Sequence, residues 1–197
     1  GAHNGCALAP GSATRRIERC PPGRDGVLLR ARRMTEIPDT LLQLADWVHN
    51  GRCTVHDLEV YETFNQEYRP SHWTQNPESD ASLKTFAQDG AGGQYALWLD
   101  APGDGPRPVV KLGDDGDLLP LATDALDFAW LIACGVEPIG VDEGGKLRGQ
   151  EAPCEAMQAW VRGQAPGRDF PEPAAVIARA MEAFPGFVEA VRAQVRA

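Results

Sequence analysis

Apolar positions along this chain change period twice. Around residues 38–51, Leu41, Leu44, Ala45 and Val48 recur at the spacing of one helical face, and Leu42 widens the stripe. Pro38 near the start, Glu36 and Asp39 in the first turn and Gly51 past the end mark the limits of this predicted helix. Across residues 83–122 the period shortens to two. "LKTFAQDG" reads as a short strand entering a turn, and "QYALWL" as a strand with Tyr95, Leu97 and Leu99 on one face and Ala96 and Trp98 on the other. "VVKL" and "LLPLA" follow as two more strands, separated by the turn segments "APGDGPRP" and "GDDGD". Pro120 has no N–H to give a ladder, which predicts an edge position or a strand end. Upstream, "HDLEVYETF" alternates in part, Leu58 and Val60 against Glu59 and Tyr61, and is a further candidate strand, whereas "RPSHWTQNPESD" reads as loop.

After residue 122 the helical period returns. "TDALDFAWLIACG" has Thr123 as expected N-cap, Asp124 and Asp127 in the first turn and Gly135 at its close. It is apolar over most of its circumference, as a helix buried against the sheet would be. Beyond a Gly-rich connector at 139–149, "APCEAMQAWVRGQ", "EPAAVIARAMEAF" and "PGFVEAVRAQVRA" read as three more helices, with Pro185 starting the last. The predicted class is α+β: a central, mostly antiparallel sheet of short strands flanked by helices, with the helices expected on one face or end. No internal repeat is present.

Charge is unevenly spread over the 197 residues. Up to Arg33 there are seven arginines against Glu18 and Asp25, while the rest carries 12 basic and 26 acidic residues, a net −14. An acidic body repels nucleic-acid phosphate and suits either a basic protein partner or simple solubility. Residues 1–33, rich in Gly, Ala, Pro and Arg without apolar period, are expected to be disordered or non-native. Met34 is the expected natural start of a single domain, 34–197. No apolar run approaches the ~20 residues that span a bilayer. The longest candidate, Ala125 to Val136, is interrupted by Asp127, and no secretory signal is recognised. Five cysteines, odd in number and without CxxC, argue against a disulfide framework and for a reducing cytoplasm.

The chemical candidates are few. Gly90, Gly92 and Gly93 follow Asp89, but no Lys-Ser/Thr follows the glycines and a strand, not a helix, comes next. That removes the phosphate cradle. The cluster reads as a structural turn in which the glycines allow positive φ and Asp89 closes the backbone. "GDDGD" lacks the ligand count of a calcium loop and reads as a hairpin turn. His49, Cys53 and His56, with His72 as a distant fourth group, match no zinc spacing, and a Cys53–His pair has no evident oxyanion hole. Neither metal nor cofactor is therefore expected. Trp73, in a polar stretch with His72 and Tyr68, would either anchor a partner or fold back on the sheet.

One stretch carries a family likeness. Phe86, Ala87, Asp89, Gly90, Gly92 and Gly93 precede an "ALW" strand (Ala96, Leu97, Trp98). "PVVKLG" (Pro108, Val109, Val110, Leu112, Gly113) follows, then an acidic Gly turn and a helix bearing Phe128, Trp130 and Leu131. In these phrases, over roughly residues 83–135, the chain resembles the SUKH superfamily of Smi/Knr-like proteins, in particular a bacterial subgroup typical of actinobacteria. The closing "AFPGFVEAV" resembles that subgroup's last helix. The resemblance implies a non-catalytic protein-binding module, above all an immunity protein that neutralises a toxin domain. Because binding residues in that family vary with the toxin, it assigns none here. The expected contact surface is acidic, at the hairpin tips, with Asp89, Asp114, Asp115 and Asp117 as candidates and Trp73 beside them. For each of these acids, a solvated or self-closing turn is the alternative. A regulatory adaptor without a toxin, or a small hydrolase using Cys53, is the alternative for the whole.

Overall fold

The structure is a computed structural model, and it describes residues 36–53, 55 and 57–195. The expectations for residues 1–33, Met34 and His56 lie outside the described residues. The fold belongs to one compact unit, Met34–Ala197.

Five strands form a meander: β1 (Leu58–Val60), β2 (Leu83–Asp89), β3 (Gln94–Trp98), β4 (Val109–Leu112) and β5 (Leu118–Ala122). They lie side by side in chain order, every pair antiparallel. β5 is an edge strand, so Pro120 sits where a missing N–H interrupts no second ladder. The helices are α1 (Asp39–His49), α2 (Pro70–Thr74), α3 (Ser79–Ser82), α4 (Ala125–Ala133), α5 (Glu155–Gln164), α6 (Pro173–Ala183) and α7 (Phe187–Arg192). The polar stretch read as loop thus holds two short helices, α2 and α3. Pro70 opens α2 at a position whose N–H has no intrahelical partner in any case.

The period-two reading of β3 holds residue by residue. Tyr95, Leu97 and Leu99 enter the larger core, and Ala96 and Trp98 enter a second, smaller one. The larger core packs α1, α4, α5 and α6 against one face of the sheet. The smaller packs Phe187 and Val191 of α7 against Leu83, Ala96, Trp98, Val110, Leu112 and Leu118 on the other. Trp98 meets Phe187 edge-on at 5.3 Å between ring centroids. Helices therefore cover both faces, not one face or end. The expectation failed because β4 and β5 bury both their sides, which a one-sided sheet does not require.

β2 carries a bulge. Thr85 pairs with Ala96 and Ala87 with Tyr95, leaving Phe86 as the extra residue. The extra residue sends both Phe86 and Ala87 into the larger core, where Phe86 packs edge-on against Phe128 of α4 at 5.4 Å. α4 is buried as its composition predicts, but its N-cap is Asp124, not Thr123, and the Asp124 carboxylate accepts from the Asp127 N–H at 2.8 Å. The last helix starts at Phe187, two residues after Pro185. Among the described residues no helix is long and apolar enough to cross a membrane.

Candidate functional site

Strand register gathers the acidic turns at one end of the sheet. Leu58 pairs with Asp89 and Gln94 with Leu112, so the start of β1, the β2–β3 turn and the β4–β5 turn are neighbours. This end carries Asp57, Asp89, Asp114, Asp115 and Asp117. The five carboxylates divide by burial.

Asp89 points inward. It is 5 % exposed, and its Oδ1 accepts from the N–H groups of Gly93 at 2.8 Å and Ala91 at 3.1 Å. Its Oδ2 accepts from the Tyr95 hydroxyl at 2.6 Å. Tyr95 is itself fully buried, and burial first, then the Asp89 charge, pushes its pKa well above the ordinary value of 10.0. Its hydroxyl thus remains a donor. Asp89 closes the turn, and its oxygens are occupied by the protein's own donors. The glycines behind it serve different ends. Gly92 alone among the three takes positive φ, +99°. A Cβ on Gly93 would stand 2.5 Å from Asp89 Oδ2, so Gly93 is needed for close approach. Gly90 lies beside the Asp57 side chain, and its N–H donates to the Asp57 carbonyl at 3.2 Å.

The neighbouring turn is anchored by a lysine that sequence reasoning missed. Lys111, cross-strand from Tyr95, is 3 % exposed. Its Nζ donates to the carbonyls of Val141 at 2.8 Å and Ile139 at 3.1 Å, and lies 3.6 Å from Asp117 Oδ2. The ammonium holds the 138–141 segment against the sheet, with Asp117 as its counter-charge. A lysine inside the apolar "VVKL" was the available signal, since a charge on a two-sided buried strand needs partners. Trp73 folds back as one of its two readings had it. Its Nε1 donates to the Gly113 carbonyl at 2.8 Å, and its ring packs against the smaller core. It fixes the start of the β4–β5 turn from the outside.

Asp114 and Asp115 remain exposed at the tip, Asp57 is exposed beside them, and Asp117 is half-buried. A shallow cavity of about 280 Å³ lies at the same end, lined by Asp57, Leu58, Glu59, Gln88, Asp89 and Gly90. The sheet end therefore presents carboxylates on turns whose backbone is held by Asp89, Tyr95, Lys111 and Trp73.

The other chemical candidates do not assemble. Cys53 is buried, and burial above all, with Cys154 beside it, pushes its thiol up to about 12, which leaves it protonated at neutral pH. His49 is exposed on the last turn of α1, and His72 is on α2. Among the described residues no group of three or more His, Cys, Asp or Glu side chains is placed to hold a metal.

A second carboxylate centre lies at the start of α4 and is structural. Asp127 is fully buried and accepts from Thr123 Oγ1, from Arg168 Nη2 at 2.7 Å and from Arg179 Nη2 at 3.0 Å. Arg168 also reaches Asp124 at 2.7 Å. Burial opposes the Arg168 charge, but the two aspartates outweigh it and its pKa stands above the ordinary value. Asp127, expected only as an acid in the first turn, ties α4 to the 165–179 region. Compared with protein-family models, curated proteins and solved structures, the chain matches none of them.

Proposed function

We propose that this chain is a non-catalytic binding module that acts in the cytoplasm as an immunity protein. It would seat a basic toxin domain on the acidic end of its sheet and block that domain's active site sterically. The observation that carries the reading is the division among the carboxylates. Asp114 and Asp115 are exposed on a turn whose base is fixed by Lys111, Trp73 and Asp117, so they are presented without a structural task of their own. A pre-ordered acidic tip loses little entropy on binding, and its field speeds encounter with a basic partner. The net −14 of residues 34–197 acts in the same direction. The toxin class comes from the SUKH resemblance of residues 83–135. The buried, protonated Cys53 weighs against the hydrolase alternative.

The test is co-expression. The protein that co-purifies with the full chain from its native cells is expressed alone and then with the chain. Growth arrest by the partner, relieved by the chain, supports immunity. A partner harmless on its own points to an adaptor, and hydrolysis by the pure chain that Cys53→Ala abolishes points to an enzyme.

A further inference from the structure

The α1–α5 seam ends in two thiols. Side chains from the two helices bridge it: Trp160 Nε1 donates to Gln43 Oε1 at 3.0 Å, and the Trp47 and Trp160 rings lie 6.1 Å apart. Cys53 follows α1 through a short turn, and Cys154 is the N-cap residue of α5. The Cys154 thiol donates to the carbonyl of Arg52, the residue before Cys53, at 3.5 Å, which sets Cys154 beside Cys53, near enough to help raise its pKa. Cys53 is buried in the larger core, and Cys154 is half-buried at its margin. The third described cysteine, Cys134, is turned to another neighbour, its sulfur accepting from Gln158 Nε2 at 3.4 Å.

We propose that Cys53 and Cys154 form a reversible oxidation site that a hydroperoxide converts to an intrachain disulfide pinning the end of α1 to the start of α5. Exposure sets the order of events. Cys154 meets the oxidant first, because Cys53 is only 6 % exposed. The Cys154 sulfur, its proton lost to solvent, attacks one peroxide oxygen. The O–O bond breaks, hydroxide leaves, and Cys154 becomes a sulfenic acid. The Cys53 sulfur then attacks the Cys154 sulfur. The S–O bond breaks, and the departing hydroxide takes the Cys53 proton as water. Two thiols are oxidised to one disulfide, and the peroxide is reduced to water. A cellular dithiol resets the pair by exchange at the Cys154 sulfur, the more accessible of the two. The bond would close a long loop from residue 53 to residue 154, the case in which a cross-link constrains the unfolded chain most.

The test treats the full chain with hydrogen peroxide, alkylates the remaining thiols and maps non-reduced peptides. The expected product is a Cys53–Cys154 linked peptide about 2 Da lighter than the two thiol peptides together, lost again with dithiothreitol. The oxidised protein should melt roughly 5–10 °C higher than the reduced one. Cys154→Ser, at a half-exposed position that keeps the fold, should abolish both results; Cys53→Ser should do the same where it folds. A link to Cys134, Cys6 or Cys20 overturns the proposal, as does Cys154 running on to sulfinic acid with no linked peptide. A linked peptide without a rise in melting temperature overturns the pinning.

Discussion

Two sets of aspartates in this protein share a side chain and little else. Asp89 and Asp127 are buried and saturated with donors, whereas Asp114 and Asp115 stand in solvent at the tip of a turn. The inward pair hold the fold together: one closes the β2–β3 turn, the other binds two arginines across the start of α4. The outward pair are dispensable to it. Acidity read from composition merges the two sets. Burial and partners separate them, and only the outward set is free to meet another molecule.

This division can be broken most severely at Asp127. Asp127→Ala removes the buried carboxylate that Arg168 and Arg179 share, leaving Arg168 with Asp124 alone and Arg179 without its partner, and should cost about 3 kcal/mol in urea unfolding. Asp89→Ala strands the N–H groups of Ala91 and Gly93 and the Tyr95 hydroxyl, for an expected loss of about 2–3 kcal/mol in the same assay. Gly93→Ala tests that network from the opposite side. Its new Cβ pushes on Asp89 Oδ2, and about 1–3 kcal/mol should be lost although no polar group is removed.

The buried thiol sharpens the picture through pH. Cys53 has a folded pKa near 12 against an ordinary 9.0, so the folded state holds its proton more tightly. Its contribution is complete below about pH 9 and disappears as pH rises toward 12. Stability should therefore fall between those limits, and Cys53→Ala should flatten the fall in pH-dependent melting. At the small end, Asp114→Asn with Asp115→Asn should change stability by less than about 0.5 kcal/mol.

Much of the fold was legible because short-range pattern and final burial agree. The alternation in "QYALWL" assigned Tyr95, Leu97 and Leu99 to one face and Ala96 and Trp98 to the other, Pro120 fits the edge position that was one of its two readings, and the apolar girth of α4 announced its burial. The rest was set by contacts between residues far apart in the chain. The Trp73 indole bonds a carbonyl 40 residues away, Asp127 meets Arg179 52 residues on, and Lys111 reaches the 138–141 segment. No local period encodes such partners. The bulge at Phe86 likewise shifts register by one residue, which an alternating pattern alone cannot anticipate. At the candidate site the turn role of Asp89 was readable from its glycines. That Asp117 serves Lys111, while Asp114 and Asp115 project, required the strand register.

The most direct test of the account is the affinity of the co-purified partner for the wild-type chain and for the Asp114→Asn, Asp115→Asn double variant, at low and high salt. With the contact at the acidic tip, affinity should be about tenfold weaker for the variant, with a shallower salt dependence and an unchanged melting temperature. Equal affinity at both salt concentrations would contradict it and move the contact surface away from this end of the sheet.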